Sequence, residues 1–303
     1  MRLVTRSDFD GLGCAAILKE EGIVDDIKFV HPKDIQDGRI EITCDDILAN
    51  IPFVPDCGLW FDHHSSEQER KAFGDFKGHS DPSVPSAARV IYEYYGGLAH
   101  FNNAHLDDLI RAVDKADAAQ FTKEEILNPE GWVLLSFIMD PRTGLGRYKD
   151  YSISNYALMM DMIDYCRNMT DKEILEIPDI RERIVRYFEQ DKLFRQMLLD
   201  NSRMEGSVVV LNLRNQDEIY TGNRFLIYSL FPDANISLQI MWGFQRQNIV
   251  ITCGYSIINK TAKADVGSLM LKYGGGGHKR VGTCQVPIDK ADDIIKEILS
   301  ALD

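Results

Sequence analysis

The sequence predicts an α/β protein built from two domains. Its 303 residues exceed what a single hydrophobic core usually serves. In the first sixty residues, short apolar runs alternate with a helical pattern, which is typical of a mostly parallel sheet with helices on both faces. Beyond residue 204, strand-like runs dominate and indicate a smaller α+β domain. We therefore predict domains at residues 1–204 and 205–303.

The individual elements follow from the spacing of apolar residues, because helices repeat with a period of about 3.6 and strands with a period of about 2. In the N-terminal domain, strands are predicted at residues 2–5, 27–30, 40–44 and 59–61, and helices at 12–21, 106–119 and 171–203. In the C-terminal domain, strands are predicted at 208–211, 236–242, 249–253 and 282–286, and helices at 266–273 and 291–302.

The acidic composition limits the range of partners. Asp and Glu number 47 against 34 Lys and Arg, which gives a formal net charge of −13. This charge opposes long nucleic acids, whose binding depends on phosphate neutralisation, but it leaves room for a small anion in a locally positive pocket. No run approaches the roughly 20 apolar residues of a membrane span, and no secretory signal is visible. A cytoplasmic protein is expected.

Acidic residues follow three of the predicted strands. In an open α/β sheet, ligands bind beyond the carboxyl ends of the strands, so these residues are expected to converge on one crevice. An Asp-x-Asp pair alone is more typical of a solvated turn. Adjacent histidines after an apolar run have no obvious packing role and favour a functional site. The residues are Asp8 and Asp10, Asp45 and Asp46, and Asp62 with His63 and His64.

Their chemistry indicates a metal. Several carboxylates at one place repel one another unless cations neutralise them. Carboxylate oxygens together with imidazole nitrogens suit manganese, whereas cysteine-rich sets suit zinc or iron–sulfur centres. Asp114 and Asp117 are a further candidate pair, because residues three apart face the same side of a helix. The pattern leaves open whether this pair binds metal or lies on a solvated helix face.

A run of four glycines precedes His278, Lys279 and Arg280 near the C-terminus. Glycines let the backbone approach a ligand closely, and their exposed N–H groups can form an anion-binding nest. The neighbouring cationic side chains add donors for a phosphate. The alternative is a flexible surface loop, which explains these cationic residues poorly in an acidic protein.

Taken in order, these motifs resemble the DHH phosphoesterase superfamily, named for its Asp-His-His triplet. The family order is an Asp-x-Asp loop, a second acidic strand end, Asp-His-His, a later aspartate and a C-terminal Gly-Gly-Gly-His. The resemblance covers essentially the whole chain. The matching residues are Asp8 and Asp10, Asp45 and Asp46, Asp62, His63 and His64, Asp114 and Asp117, and Gly275, Gly276, Gly277 and His278.

The resemblance implies a catalytic, metal-binding DHH domain at residues 1–204 and a substrate-binding DHHA1-like domain at 205–303. It implies two manganese ions, with Asp62, His63 and His64 as catalytic residues. Asp117 is preferred to Asp114, because residues 117–121 are similar to the family's Asp-Thr-Gly-x-Phe. The implied metal ligands are Asp8, Asp10, Asp46 (preferred to Asp45), Asp62, His63 and Asp117, and the implied substrate-binding residues are Gly275, Gly276, Gly277, His278 and Arg280.

The chain departs from the family pattern at Val4, four residues before Asp8, where the family usually has a histidine. One of the two ions would therefore lack an imidazole ligand. Arginine cannot ligate a metal, although Arg6 could supply compensating charge.

The expected function is hydrolysis of phosphate esters of small nucleotides or very short oligonucleotides by a metal-activated water. The active site is expected in the cleft between the two domains. An exopolyphosphatase-like hydrolase is one alternative. A catalytically impaired nucleotide-binding regulatory protein, which Val4 favours, is another. The expected partner is a small phosphorylated substrate, with a homodimer as the candidate assembly and no long nucleic acid or membrane.

Overall fold

The computed structural model describes residues 1–64 and 76–302, which form two compact units. The first unit contains residues 1–121 and 129–186, and the second contains residues 122–128 and the chain from residue 187 onward. Each unit contains one sheet. The domain boundary predicted at residue 204 stays a prediction, and this residue lies in a strand of the second unit.

The first unit is organised around a parallel sheet of five strands, which confirms the predicted parallel sheet, although the strand at residues 78–80 was not predicted. The strand order is β2-β1-β3-β4-β5, so β2 lies on one side of β1 and the later strands lie on the other. Ligands in open sheets of this kind bind at the carboxyl edge where the order reverses, here between β1 and β3. The strands are β1 (Arg2–Arg6), β2 (Asp26–Val30), β3 (Asp46–Ala49), β4 (Leu59–Asp62) and β5 (Gly78–Ser80).

The strand predicted at residues 40–44 is wrong, because β3 lies just after it. Ile40 and Ile42 pack against the buried cluster of Val4, Leu48 and Trp60 without forming a strand. In the sequence, Ile40 and Ile42 alternate with polar residues, and this pattern had predicted a half-buried strand. The true strand is buried along its whole length. Central parallel strands read as continuous apolar runs because helices or loops cover both of their faces.

Thirteen α-helices lie in the described part of the chain. Helix α1 is buried from Phe9 to Leu18 and contacts the helices Ala87–Tyr94, Ala104–Asp117 and Asn155–Asn168. Pro178 begins α10 and splits the single helix predicted over residues 171–203, because proline is favoured in a first helical turn but not in an interior. The helices are α1 (Phe9–Glu20), α2 (Pro32–Gln36), α3 (Ala87–Tyr94), α4 (Gly97–Phe101), α5 (Ala104–Asp117), α6 (Lys123–Leu127), α7 (Gly131–Met139), α8 (Asn155–Asn168), α9 (Asp171–Leu175), α10 (Pro178–Asn201), α11 (Leu226–Leu230), α12 (Val266–Leu271) and α13 (Ala291–Leu302).

The second unit has a six-stranded sheet in the order β10-β11-β9-β8-β7-β6. Only β7 and β8 are parallel, and the other neighbours are antiparallel. Helices α12 and α13 pack on this sheet through a shared apolar cluster that includes Met270 and Ile298. The predicted α+β class is confirmed. The strands are β6 (Ser202–Glu205), β7 (Val208–Asn212), β8 (Ile236–Trp242), β9 (Ile249–Tyr255), β10 (Gly276–His278) and β11 (Val281–Val286).

Across residues 1–64 and 76–302, no helix is both long and apolar enough to cross a membrane.

Candidate metal centre and phosphate-binding segment

Three neighbouring strands of the first sheet end at one edge. Thr5 of β1 pairs with Ala49 of β3, and Ala49 pairs with Phe61 of β4. The residues that follow these strands are therefore brought side by side. They are Asp8 and Asp10 after β1, Asn50 after β3, and Asp62 at the end of β4 with His63 and His64 beyond it.

A tight turn leads from β1 into α1 and carries the first aspartates. Asp8 caps the helix, its side chain accepting a hydrogen bond of 2.9 Å from the Gly11 backbone N–H. A Cβ atom at Gly11 would lie 2.0 Å from the Arg6 carbonyl oxygen, so only glycine fits this turn. The turn therefore fixes Asp8 and Asp10 at the carboxyl edge of the sheet.

Asp10 is buried against the start of α3. Its two carboxylate oxygens accept hydrogen bonds from the backbone N–H groups of Ala87, at 3.0 Å, and Ala88, at 2.8 Å. Burial, together with the charges of Asp117 and Asp8, raises the pKa of Asp10 well above its usual value, against the opposing effect of these hydrogen bonds. A nearby cation would relieve this penalty.

Asp10, His63 and Asp117 form the candidate metal cluster, since their ligand atoms all lie within 4.8 Å of one another. His63 Nε2 lies 3.8 Å from Asp10 Oδ2 and 3.3 Å from Asp117 Oδ2. This nitrogen is buried and has no hydrogen-bond partner among the described residues. Burial also lowers the pKa of His63, which favours the neutral imidazole that binds metals. Two carboxylates and an unpartnered imidazole nitrogen suit a divalent cation.

Asp62 and His64 form a second pair beside this cluster. His64 Nδ1 lies 2.8 Å from Asp62 Oδ1, and the Asp62 side chain is 1% exposed. Burial acts to lower the pKa of His64. The hydrogen bond to Asp62 and the negative charges of Asp62, Asp10 and Asp117 outweigh burial and raise it. The pKa values of the two neighbouring histidines are therefore shifted in opposite directions, upward for His64 and downward for His63.

The two aspartates of α5, Asp114 and Asp117, have different partners in the structure. Asp114 accepts hydrogen bonds from Ser86 Oγ, at 2.7 Å, and from Arg89 Nε and Nη2, at 2.9 and 2.7 Å. Asp117 lies one turn further along the helix, beside His63. This arrangement agrees with the preference for Asp117, whose role as a ligand stays a prediction.

Asp46 does not join this cluster, and the prediction that places it there is corrected. It begins β3 rather than following a strand, and Arg2 holds its carboxylate through bonds of 2.6 Å from Nε and 2.9 Å from Nη2. Arg2 begins β1, whereas Asp8 lies beyond its end, and the strand itself rises about 13 Å. Asp45 precedes Asp46 at the same amino edge of the sheet. Neither residue reaches the metal cluster.

We predict that Asp46→Asn lowers stability without affecting metal binding. Burial acts to raise the pKa of Asp46, but hydrogen bonds from Arg2 and Thr43 lower it below its usual value. The stabilisation is therefore complete above the unfolded value near pH 4 and is lost as the pH falls through the folded value. Urea unfolding at pH 7 should show a loss of about 1–3 kcal/mol that shrinks in acid. The exposed neighbour variant Asp45→Asn should change little, and weakened manganese binding by Asp46→Asn would contradict the correction.

The glycine segment lies in the second unit and is more regular than the sequence indicated. Residues 276–278 form β10, which pairs with β11 instead of forming a flexible loop. The Gly274 N–H donates to Leu271 and the Gly275 N–H donates to Met270, so these two groups are not available to an anion. His278 and Arg280 are exposed. The prediction of a backbone nest is thus corrected for the first two glycines, whereas substrate binding by residues 275–278 and Arg280 stays a prediction.

Asn50, whose side chain contacts Asp8, was not among the predicted site residues. Asn50 was missed because the strand that ends before it was predicted too early in the chain. The guanidinium of Arg142 pairs with Asp140 through Nε, at 2.8 Å. Burial acts to lower the pKa of Arg142, but the charges of Asp140, Asp8 and Asp117 raise it.

Comparison with known proteins gives a near-complete match. The chain is 47% identical to the pGpG-specific phosphodiesterase PggH of Vibrio cholerae, with a TM-score of 0.87, and the match covers 99% of this chain and 98% of that chain. No family model and no curated protein sequence matches. At this identity the two chains share one family and one class of chemistry, so the protein is a hydrolytic phosphoesterase. It belongs to the DHH phosphoesterase superfamily, as the order of its motifs predicted.

More distant structures share the fold. RecJ of Thermus thermophilus, in complex with Mn²⁺, is 11% identical with a TM-score of 0.53, and the match covers 99% of this chain and 51% of that chain. An exonuclease RecJ bound to manganese is 12% identical with a TM-score of 0.51, covering 99% and 89% of the two chains. These likenesses concern the fold alone.

Proposed function

We propose that this protein is a manganese-dependent phosphodiesterase that adds one water across the phosphodiester of a guanine dinucleotide of the pGpG type, giving two mononucleotides. The observation that carries the proposal is the cluster of Asp10, His63 and Asp117, with its buried and unpartnered imidazole nitrogen. The substrate class is proposed from the relative that is 47% identical over almost its whole length.

The choice of manganese rests on the chemistry of the ligands. Two carboxylates and one imidazole nitrogen offer hard oxygen donors with one borderline nitrogen, a set that suits Mn²⁺ better than the thiolate-preferring metals. The chemistry supplied by such an ion is a water nucleophile that is active at neutral pH and a positive charge beside the phosphate.

The residues of the first unit would prepare the site before substrate arrives. The N–H groups of Ala87 and Ala88 fix the direction of the Asp10 carboxylate, which removes the need for reorganisation during the reaction. Burial lowers the pKa of His63 and so favours the neutral imidazole, whose Nε2 would offer a lone pair to the metal. The hydrogen bond to Asp62 raises the pKa of His64, which favours its protonated form as a proton donor to the phosphate. The roles of Asp62, His63 and His64 as catalytic residues are part of this proposal.

The second unit would contribute the phosphate contacts. His278 and Arg280 are exposed and flank the turn between β10 and β11, so both can reach an anion. Gly276 presents open space where any other residue would carry a side chain. The prediction that both units enclose one substrate stays a prediction.

The test is a product assay with the full-length chain, manganese and three substrates: pGpG, the adenine dinucleotide pApA, and a 3′,5′-bisphosphonucleotide. We expect GMP from pGpG at a rate at least about ten times that for either competitor, since buried polar recognition of one base commonly discriminates by that factor or more. EDTA should abolish the reaction and added Mn²⁺ should restore it.

Two variants make this assay specific. Asp62→Asn removes a buried charge beside the cluster and is expected to eliminate turnover, whereas Asp45→Asn changes an exposed aspartate at the opposite edge and should behave like the wild type. Equal rates on all three substrates would reject guanine specificity. An absence of turnover in the presence of bound manganese would reject this substrate class altogether.

A further inference from the structure

The superfamily resemblance implies two manganese ions, but the donors around Asp8 differ from those around Asp10. Asp10 lies beside Asp117 and the unpartnered nitrogen of His63, and these three residues fit one divalent ion. Asp8 has different neighbours. The residues that surround it decide whether a second ion has ligands.

Position 4 supplies no ligand. Val4 is fully buried and belongs to the apolar cluster with Leu48 and Trp60. An aliphatic side chain has no lone pair for a metal, and the buried residues that share its cluster are apolar.

The strand end between the two aspartate motifs also supplies no carboxylate. The family pattern has an acidic residue after this strand, and the structure shows that the strand is β3 and that Asn50 follows it. Asn50 is 2% exposed, and its Nδ2 donates a 3.1 Å hydrogen bond to Asp8 Oδ1. With Asp8 ionised, the amide must present its N–H side, so its oxygen points away from Asp8.

The Asp8 carboxylate is already compensated by donors from the chain. Oδ1 accepts from the Gly11 N–H at 2.9 Å as well as from Asn50. Oδ2 forms an ion pair with Arg6, whose Nε is 3.0 Å away. Three N–H donors, one of them charged, therefore use three of the about four lone-pair positions of this carboxylate and already offset its charge, which disfavours a second cation there.

We propose that this protein binds one divalent ion per chain, at Asp10, His63 and Asp117, and that Arg6 and Asn50 neutralise Asp8 in place of a second ion. The inference shares the first ion with the proposed function but does not depend on which ester is hydrolysed. It assigns to Arg6 the fixed positive charge that a second ion supplies in a two-metal site.

The test measures stoichiometry directly. Metal-free full-length protein is titrated with Mn²⁺ by calorimetry, and the bound ion is examined by electron paramagnetic resonance. We expect one ion per chain and the spectrum of an isolated Mn²⁺ ion. Two ions per chain, with a spectrum of magnetically coupled ions, would overturn the proposal.

The isosteric variant Asn50→Asp tests the cause. It should add a second, weaker binding event, and its metal-free form should be less stable than the wild type, because Asp8 and residue 50 then repel each other until a cation binds. An unchanged stoichiometry of one would overturn the role given to Asn50. Asp117→Asn is the negative control and should abolish the binding event seen in the wild type.

Hydrolysis of pGpG is measured on the same samples, so that failure of the substrate proposal can be distinguished from failure of the single-ion proposal. Turnover with one bound ion supports both. One bound ion without turnover rejects the substrate proposal alone, and turnover with two bound ions rejects the single-ion proposal alone.

Discussion

Replacing Asp117 with asparagine is expected to weaken manganese binding by at least about 100-fold and to eliminate hydrolysis, while the chain remains folded. Changes in residues that only support a metal ligand commonly cost about 10–100-fold in affinity, and loss of a ligand should cost no less. A factor of 100 corresponds to about 2.7 kcal/mol of binding free energy. Calorimetric titration with Mn²⁺ and the product assay measure the two effects.

The same variant should make the metal-free protein more stable at neutral pH. The Asp117 side chain is 36% exposed, yet loss of solvent around the carboxyl group, together with the charge of Asp8, raises its pKa against the opposing effect of His63. A raised pKa means that stability falls as the pH rises from the unfolded value to the folded value, and that the full penalty applies above the folded value. Asparagine removes this penalty, so the thermal midpoint should rise without metal and no longer respond to manganese.

Asp114→Asn is the matched control, because this residue lies one turn earlier on the same helix. Its carboxylate binds Ser86 and Arg89 and does not enter the metal cluster. We expect a loss of about 1–3 kcal/mol in the free energy of unfolding, as for other hydrogen bonds to charged groups, with manganese affinity unchanged. If Asp114→Asn lost the metal and Asp117→Asn kept it, the assignment of the two residues would be reversed.

The second large effect is expected in the glycine segment, where neighbouring positions should respond differently to alanine. Gly277 has a φ of +152°, and a Cβ atom there would lie 2.2 Å from the Val281 carbonyl oxygen of the paired strand. Gly277→Ala should therefore displace β10 and lower the free energy of unfolding by about 1–3 kcal/mol. Substrate binding should fall with it, because His278 belongs to the same strand.

Gly276→Ala separates the ligand-binding role from the structural one. A Cβ atom at Gly276 meets nothing within 4 Å among the described residues, so stability should stay within about 0.5 kcal/mol of the wild type. If a phosphate approaches the backbone here, the added methyl group should still reduce kcat/KM by about tenfold or more. Urea unfolding and the pGpG assay measure the two quantities. Full activity in Gly276→Ala would indicate that these glycines serve the fold alone.

The sequence was most informative where local pattern and burial coincide. Strand β8 occupies residues 236–242 as predicted, because its side chains alternate between the buried face and the other face of one sheet. The sequence also indicated the candidate residues of the metal cluster. Aspartates and histidines directly after apolar strands rarely serve packing, and the order of the motifs predicted the superfamily.

The sequence alone thus determined the α/β class, the superfamily, and the candidate residues Asp8, Asp10, Asp62, His63 and Asp117. The tertiary structure decided which acidic residues meet. Asp46 lies at the amino edge of the sheet because β3 starts there, and the strand predicted at residues 40–44 had placed it at the carboxyl edge. The contact between Asn50 and Asp8 joins residues 42 positions apart in the chain. Only pairing of β1 with β3 creates that contact, so the local pattern of either segment could not reveal it.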